Sequence, residues 1–485
     1  MLQRLAHRGP DAEGLHMDPS APGVIGHRRL AIVDPAGGDQ PLRTEEGQRA
    51  LVTNGEIYNA PDLRSSLARQ HRFRTRSDSE VALHLFADLG PACARRFDGM
   101  FAIAITDGED LFLARDPIGV KPLYWGRQRG TLCFASEMKA LAGTAGAITE
   151  FPPGAWFHSR TGVRPYYTVP GRQPIPRSMD HHLTLVRETL EQAVAKRLMS
   201  DVPVGAFLSG GLDSSLIAAL ARRHLPGLHT FAVGTPGSRD LDAARTVARH
   251  LDTVHHEYVL TTQEVAAHLP AILYHLESYD QDLVRSAIPC YFAAQLAARE
   301  VKVILTGEGA DELFAGYAYY REFRDPQRLH QELRRSVQSL HHINLQRVDR
   351  LTMAHGVEGR VPFLDTAMVE VAQTISPHLK LRSATGGQTV DKWILRQAFR
   401  DLLPAEIVWR KKAQFDEGSG TLDLLEEIVG SWMSSAEAAR YRRAHPETRL
   451  RSTEECLYHK LLCEAFADPT PILANVARWA DRPAN

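Results

Sequence analysis

Residues 202–215 read Val-Pro-Val-Gly-Ala-Phe-Leu-Ser-Gly-Gly-Leu-Asp-Ser-Ser, an apolar strand that runs through a glycine pair straight into an apolar helical stretch. Gly210 and Gly211 let backbone N–H groups turn inward, and Ser209, Ser214 and Ser215 add hydroxyl donors. The N-terminus of the following helix favours an anion, so the segment predicts a phosphate site. The lysine-bearing loop Gly-x-x-x-x-Gly-Lys-Ser/Thr is absent from the chain, and Asp213 stands here where that motif has lysine. A carboxylate beside bound phosphate needs a cation between them, which makes Asp213 an expected Mg²⁺ ligand. The plainer alternative is a glycine turn capped by serines.

A second cluster, Thr306-Gly-Glu-Gly-Ala-Asp-Glu-Leu-Phe-Ala-Gly-Tyr317, follows the apolar run Val301–Leu305. Glu308, Asp311 and Glu312 should therefore emerge at the carboxyl edge of a parallel sheet, where such sheets bind ligands. Asp311 is expected to complete the Mg²⁺ site with Asp213. Glu312 is read equally well as a helix N-terminal charge stabilised by the dipole.

These segments need elements to hold them. Beyond about residue 180, apolar segments such as Leu228–Gly234 alternate with amphipathic stretches such as Ser215–Leu225 and Ala287–Glu300, which predicts a parallel sheet covered by helices. From about Gln327 onward helical periodicity dominates. From Gly23 to about Tyr167 the pattern is instead short apolar strands punctuated by turns, with a helix near Ser77–Leu89. Thr168–Ser178 is rich in Pro and Gly and breaks both periods. The expected division is a β-rich layer domain over 1–168, a linker over 169–180 and an α/β domain over 181–485. The fold class is thus two-domain, α+β followed by α/β.

Composition restricts the partners. Lys and Arg number 57 against 58 Asp and Glu, a net charge of −1, so no global field recruits nucleic acid and any phosphate site is local. The five cysteines are odd in number and lack metal-ligand spacing, which disfavours structural zinc or a disulfide framework. No apolar run reaches the ~20 residues of a membrane helix, and the first residues are charged where a secretory signal is apolar. No membrane partner and a cytoplasmic location are expected.

The Ser209–Ser215 loop resembles the pyrophosphate loop of the ATP-pyrophosphatase superfamily, which forms acyl-adenylates. The resemblance extends along nearly the whole chain to class II glutamine-dependent asparagine synthetases. It is carried by HRGPD at 7–11, HRRLAIVD at 27–34, NGEIYN at 54–59, SDSE at 77–80, RDPIGVKPLY at 115–124, FASEMKAL at 134–141, TFAVG at 230–234, GEGADELFAGY at 307–317 and VEGRVPFLD at 357–365. It implies an N-terminal-nucleophile glutaminase-like β-sandwich domain followed by an ATP-pyrophosphatase-type synthetase domain with a helical C-terminal part. It also implies ATP and Mg²⁺ as cofactors and aspartate, ATP and glutamine or ammonia as small-molecule substrates. A homodimer is allowed by it and not required.

Several residue roles follow from the resemblance alone. Glu308 corresponds to a glutamate that takes a proton from attacking ammonia. Lys412, in Trp409–Phe415, corresponds to a pyrophosphate-binding lysine, with Arg410 and Lys411 as close competitors. Arg285 corresponds to an arginine near the reacting phosphate and Asp365 to an acid near the substrate, for which a turn or cap is the alternative. Leu208 and Val233 would offer backbone contacts to adenine, and Thr306 and Gly307 would contact ATP. After Arg285 the chain departs from the family's polar pattern with Ser286-Ala287-Ile288-Pro289, which leaves a different acceptor carboxylate open.

The same resemblance places a glutamine pocket at Arg29, Ile32, Val33, Asn54, Gly55, Glu56 and Asp78. Arg29 would pair with a carboxylate, Glu56 and Asp78 with an α-ammonium, and Asn54 with Gly55 would donate to an oxyanion. The family's catalytic cysteine heads the mature chain, its own amine serving as base, and Met1-Leu2 cannot replace it. The expectation is that a cysteine-bearing segment precedes residue 1 in the complete protein, in preference to natural loss of the glutaminase. Two competing readings are a ligase that amidates or cyclises another carboxylate, as β-lactam synthetase-like enzymes do, and a catalytically silent nucleotide-binding homologue.

Overall fold

The computed structural model describes residues 1–17, 23–45, 47–383, 389–412 and 415–479. The first half contains the strands β1 (Ala12–Met17), β2 (Val24–Arg29), β3 (Leu42–Arg43), β4 (Ala50–Ile57), β5 (Gly99–Thr106), β6 (Leu111–Arg115), β7 (Tyr124–Gln128), β8 (Thr131–Ala135), β9 (Ile148–Glu150), β10 (Ala155–His158) and β11 (Gly162–Pro165). A six-stranded antiparallel sheet has the order β11-β10-β6-β5-β4-β3. Alternate residues face opposite ways along a strand. Leu51, Ile57, Phe101, Ile103, Ile105 and Phe112 pack under the helices Ala60–Leu67 and Glu80–Leu89. Val52, Ala102, Ala104 and Leu113 face the other side, which Trp125, Leu132 and Phe134 of the small sheet β8-β7-β9 cover. Burial on both faces explains why β5 reads as an unbroken apolar run. The helix expected from Ser77 begins at Glu80, because Asp78 turns its carboxylate to the Ile57 N–H at 2.7 Å instead of capping the helix.

The second half holds β12 (Val204–Phe207), β13 (His229–Gly234), β14 (Val254–Val259), β15 (Val303–Leu305) and β16 (Glu358–Arg360) in one parallel sheet, order β14-β13-β12-β15-β16. The helices Leu212–Arg222, Arg239–Leu251 and Gln281–Ala297 link its strands. The strand order reverses at β12, whose neighbours are β13 and β15, and at such a reversal a crevice opens beyond the carboxyl ends. The loops after β12 and β15 both face it. Gly210 has φ of +68°, and a Cβ there would lie 2.4 Å from the Ala243 Cβ, so only glycine lets the first loop press against the helix Arg239–Leu251.

Residues 166–178 have no regular element, and the next helix starts at Met179, where the Ser178 hydroxyl accepts from the His181 N–H. The two halves nevertheless share buried surface. Tyr58, Met100, Ile118 and Val120 pack into the cluster that contains Val186 and Leu345, and Tyr124, Met138 and Leu141 pack with Leu269 and Leu276. Arg8 forms a forked ion pair with Asp349 at 2.7 and 3.0 Å across the same junction. Among the described residues no helix is long and apolar enough to cross a membrane.

Candidate active sites

The crevice at the carboxyl ends of β12, β13 and β15 is lined by Leu208, Ser209, Gly211, Asp213, Ser214, Val233, Thr306, Gly307, Glu308 and Asp311, together with Lys412. The structure thus gathers the nucleotide and metal positions expected from sequence, apart from Gly210, which shapes the loop from behind. The Ser209 and Ser214 hydroxyls are 3.0 Å apart, and the Gly211 N–H donates to Ser209 Oγ at 3.3 Å. Gly307 lies so close to the first loop that a Cβ on it would stand 2.8 Å from the Asp213 Cβ. Ser215 is fully buried and faces away from the crevice lining.

Four charged groups of the crevice, Asp213, Asp311, Lys392 and Lys412, meet from separate segments of the chain. Lys392 Nζ is 2.5 Å from Asp213 Oδ2 and 2.5 Å from Asp311 Oδ1, and Lys412 Nζ is 2.5 Å from Asp311 Oδ2. Burial alone would raise the Asp311 pKa, but the two ammonium groups hold it well below the usual carboxylate range. Burial likewise opposes the charge on Lys412, and Asp311 and Asp213 overcome it to raise its pKa. Asp213 Oδ1 is buried and has no hydrogen-bond partner. An orphaned carboxylate oxygen beside a second carboxylate is a donor set that suits a hard cation.

Lys392 was not foreseen from the sequence. It sits in an ordinary-looking Val-Asp-Lys-Trp stretch, in a left-handed conformation with φ of +51°, and is 1% exposed. Arg347 was also missed. It reaches from the helix Asn344–Met353 to pair with Glu308 Oε1, and only its i, i+3 spacing to Asn344, another crevice residue, hinted at a shared face. Asn344 donates to Glu312 Oε1 at 3.2 Å, as does the Tyr317 hydroxyl at 2.7 Å. Burial and the neighbouring Asp311 push Glu312 up to about 7, against the Tyr317 hydrogen bond. Glu312 thus sits buried in the first turn of the helix Ala310–Phe314, held by Asn344 and Tyr317, and does not line the crevice itself.

Two expected catalytic residues lie elsewhere. Arg285 turns from the crevice to pair with Glu454 at 2.6–3.1 Å, because the helix Thr453–Ala465 offers a carboxylate on that side; Ser286 and Asp282 take the lining positions. Asp365 is 1% exposed, pairs with Lys196 at 2.6 Å and Arg197 at 2.7 Å, and caps the helix Thr366–Thr374 through the Ala367 N–H. It is the cap of the alternative reading. Of the three basic residues in Trp409–Phe415, Lys412 reaches Asp311, Arg410 pairs with Asp240 at 2.8 Å, and Lys411 is exposed at the rim. Ala413 and Gln414 of that motif lie outside the described residues.

A second, smaller pocket is lined by Arg29, Ile32, Val33, Asn54, Gly55 and Glu56, and extends to Met353 and Glu358 of the other domain. Gly55 has φ of +122°, and a Cβ there would strike the Met100 carbonyl oxygen at 2.0 Å, so the backbone bend needs glycine. Arg29 is held by Asp39 at 2.7 Å and by the carbonyls of Asp34 and Pro35. Asp78 stands behind the lining. Burial, with Asp78 next, pushes the Glu56 carboxyl well up although Arg360 lies 3.2 Å away. Cys93 and Cys133 lie outside this pocket, and burial pushes the Cys93 thiol up, the opposite of an activated nucleophile.

Comparison with known proteins agrees with this two-site layout. The family described as asparagine synthase matches residues 185–327 and 321–471, and the glutamine amidotransferase domain matches residues 1–157. Glutamine-hydrolyzing asparagine synthetase 2 of Oryza sativa subsp. japonica is 40% identical over 488 residues, 96% of this chain and 82% of its own. Asparagine synthetase B of Escherichia coli K12, also named glutamine-hydrolyzing, is 39% identical over 493 residues, 97% and 88% of the two chains. The Bacillus subtilis glutamine phosphoribosylpyrophosphate amidotransferase superposes with a TM-score of only 0.29 at 22% identity, over 47% of this chain and 61% of that one, too loosely to carry an argument. With both domain families matched in order and relatives near 40% identity along almost the full length, the chain belongs to the glutamine-hydrolysing asparagine synthetase family.

Proposed function

We propose that this protein converts aspartate to asparagine with ATP, through β-aspartyl-AMP, and that residues 1–168 serve a glutaminase-like domain and 181–485 the synthetase domain. The observation that carries the reading is the convergence of Asp213, Asp311, Lys392 and Lys412 on the loops after β12 and β15. The aspartate side-chain carboxylate attacks the α-phosphorus, pyrophosphate leaves, and ammonia then displaces AMP from the acyl carbon. Lys392 and Lys412 are placed to take up charge that builds on the departing pyrophosphate. Asp213 and Asp311 would hold Mg²⁺, which supplies further charge neutralisation when bound. Glu308, oriented by Arg347, takes the proton that ammonia loses as the C–N bond forms.

In the smaller pocket Glu56, backed by Asp78, would meet the α-ammonium of glutamine, and Asn54 with Gly55 would donate to the oxyanion. Five free cysteines support a reducing, cytoplasmic setting. The test is production of AMP, pyrophosphate and asparagine from Mg·ATP and aspartate, with ammonium or glutamine in parallel. Ammonium should support asparagine formation by residues 1–485, since no cysteine lines the glutamine pocket among the described residues. AMP without asparagine, from folded protein, would point to another acceptor and reject the reading.

A further inference from the structure

The turn Leu340–His342 carries two adjacent imidazoles, and both face Glu150 at the end of β9 in the other domain. His341 Nδ1 is 2.8 Å from Glu150 Oε1, and His342 Nδ1 is 4.0 Å from Glu150 Oε2. The first separation is a hydrogen bond. The second is too long for one, yet falls within the span across a single ion whose bonds to nitrogen and oxygen are ~2.0–2.2 Å. One ligand atom from each of the three residues lies within 4.8 Å of the others, and the rings meet edge to face with centroids 4.3 Å apart. None of the three lines the nucleotide crevice or the glutamine pocket.

The surroundings select the kind of ion. Arg115, 1% exposed, donates to Glu150 Oε1 at 2.7 Å and to the Phe151 carbonyl at 2.6 Å, so it already balances the single carboxylate. A hard cation that relies on several anionic oxygens gains little there. Two imidazole nitrogens and one carboxylate oxygen suit a borderline transition ion, and His342, 34% exposed, leaves one side open to water. We propose that Glu150, His341 and His342 form a binding site for a divalent transition cation of the zinc type, which ties the turn to β9 across the domain junction.

The full chain, stripped of metal, is titrated with ZnCl₂ by calorimetry, and the same titration is run on His341→Ala and His342→Ala. The wild type should bind one more Zn²⁺ than either variant, or bind it at least tenfold more tightly, with a Zn²⁺-dependent rise in Tm that both variants lose. MgCl₂ should neither compete nor raise Tm through this site. Equal stoichiometry, affinity and Tm response in wild type and variants would overturn the proposal, as would X-ray absorption showing sulfur in place of imidazole around the ion. Should His341→Ala fold poorly, His342→Ala decides alone, since His342 makes no hydrogen bond to Glu150.

Discussion

Lys392 Nζ stands 2.5 Å from Asp213 Oδ2, although 179 residues separate them along the chain. The same ammonium touches Asp311, so one buried cation joins the loop after β12 to the loop after β15. The fit is tight: a Cβ on Gly316 would lie 2.2 Å from the Lys392 Cε.

Lys392→Met should keep the side chain's volume and remove its charge. Aspartate-dependent ATP–pyrophosphate exchange is expected to fall by about 10²- to 10³-fold, the usual loss when one preorganised charge-stabilising group is removed. Exchange within twofold of wild type would show that Lys412 alone handles the leaving group.

Glu308→Gln keeps the hydrogen-bonding shape beside Arg347 but cannot accept a proton. Pyrophosphate exchange should persist while asparagine formation drops by about 10²- to 10⁴-fold. A parallel fall in both rates would relocate the defect to adenylation and remove Glu308 from the amide step.

Arg285→Ala should leave the KM for ATP within about twofold, because Arg285 is engaged by Glu454 and not by the crevice. The cost is structural: Glu454 is 12% exposed and loses its cation, which is worth roughly 1–2 kcal/mol for a half-buried pair. Thermal unfolding and ATP kinetics measured side by side distinguish this from a catalytic role, in which KM or kcat would collapse at unchanged Tm.

Lys380 is fully buried, its ammonium has no hydrogen-bond partner, and burial pushes its pKa down to about 7. Between pH 7 and the unfolded-state value near 10.4 the unfolded chain binds a proton that the folded chain does not, so this group makes stability rise with pH across that window and contributes no slope below it. Lys380→Met should raise Tm, by most at pH 7 and by little at pH 10, with a gain on the order of a few kcal/mol at neutral pH. A Tm difference that stays flat between pH 7 and 10 would mean that Lys380 is charged in the folded protein.

Motifs made of consecutive residues were readable. The glycine-serine loop, the acids after β15, and the change from strand pattern to strand-helix alternation are local, and each follows from backbone freedom or side-chain periodicity within a dozen residues. Asn54, Gly55 and Glu56, named from the family resemblance, share one strand and line the smaller pocket together. Arg285 and Asp365 do not line the crevice, and position along the chain does not say which way a side chain points. At each, a nearby opposite charge, Glu454 or the Lys196–Arg197 pair, competed for the side chain.

The sequence by itself determined the family, through its ordered motifs, and the succession of a strand-rich half, a glycine-serine loop and an alternating strand-helix half, because each rests on contiguous residues. Tertiary structure decided which charges meet. Lys392 joins Asp213 to Asp311, Arg347 reaches Glu308, and His341 with His342 faces Glu150, each pair brought together by sheet order and domain packing over long sequence separations. Electrostatic energy falls with distance in space and is blind to distance along the chain, so these partnerships have no local signature to read.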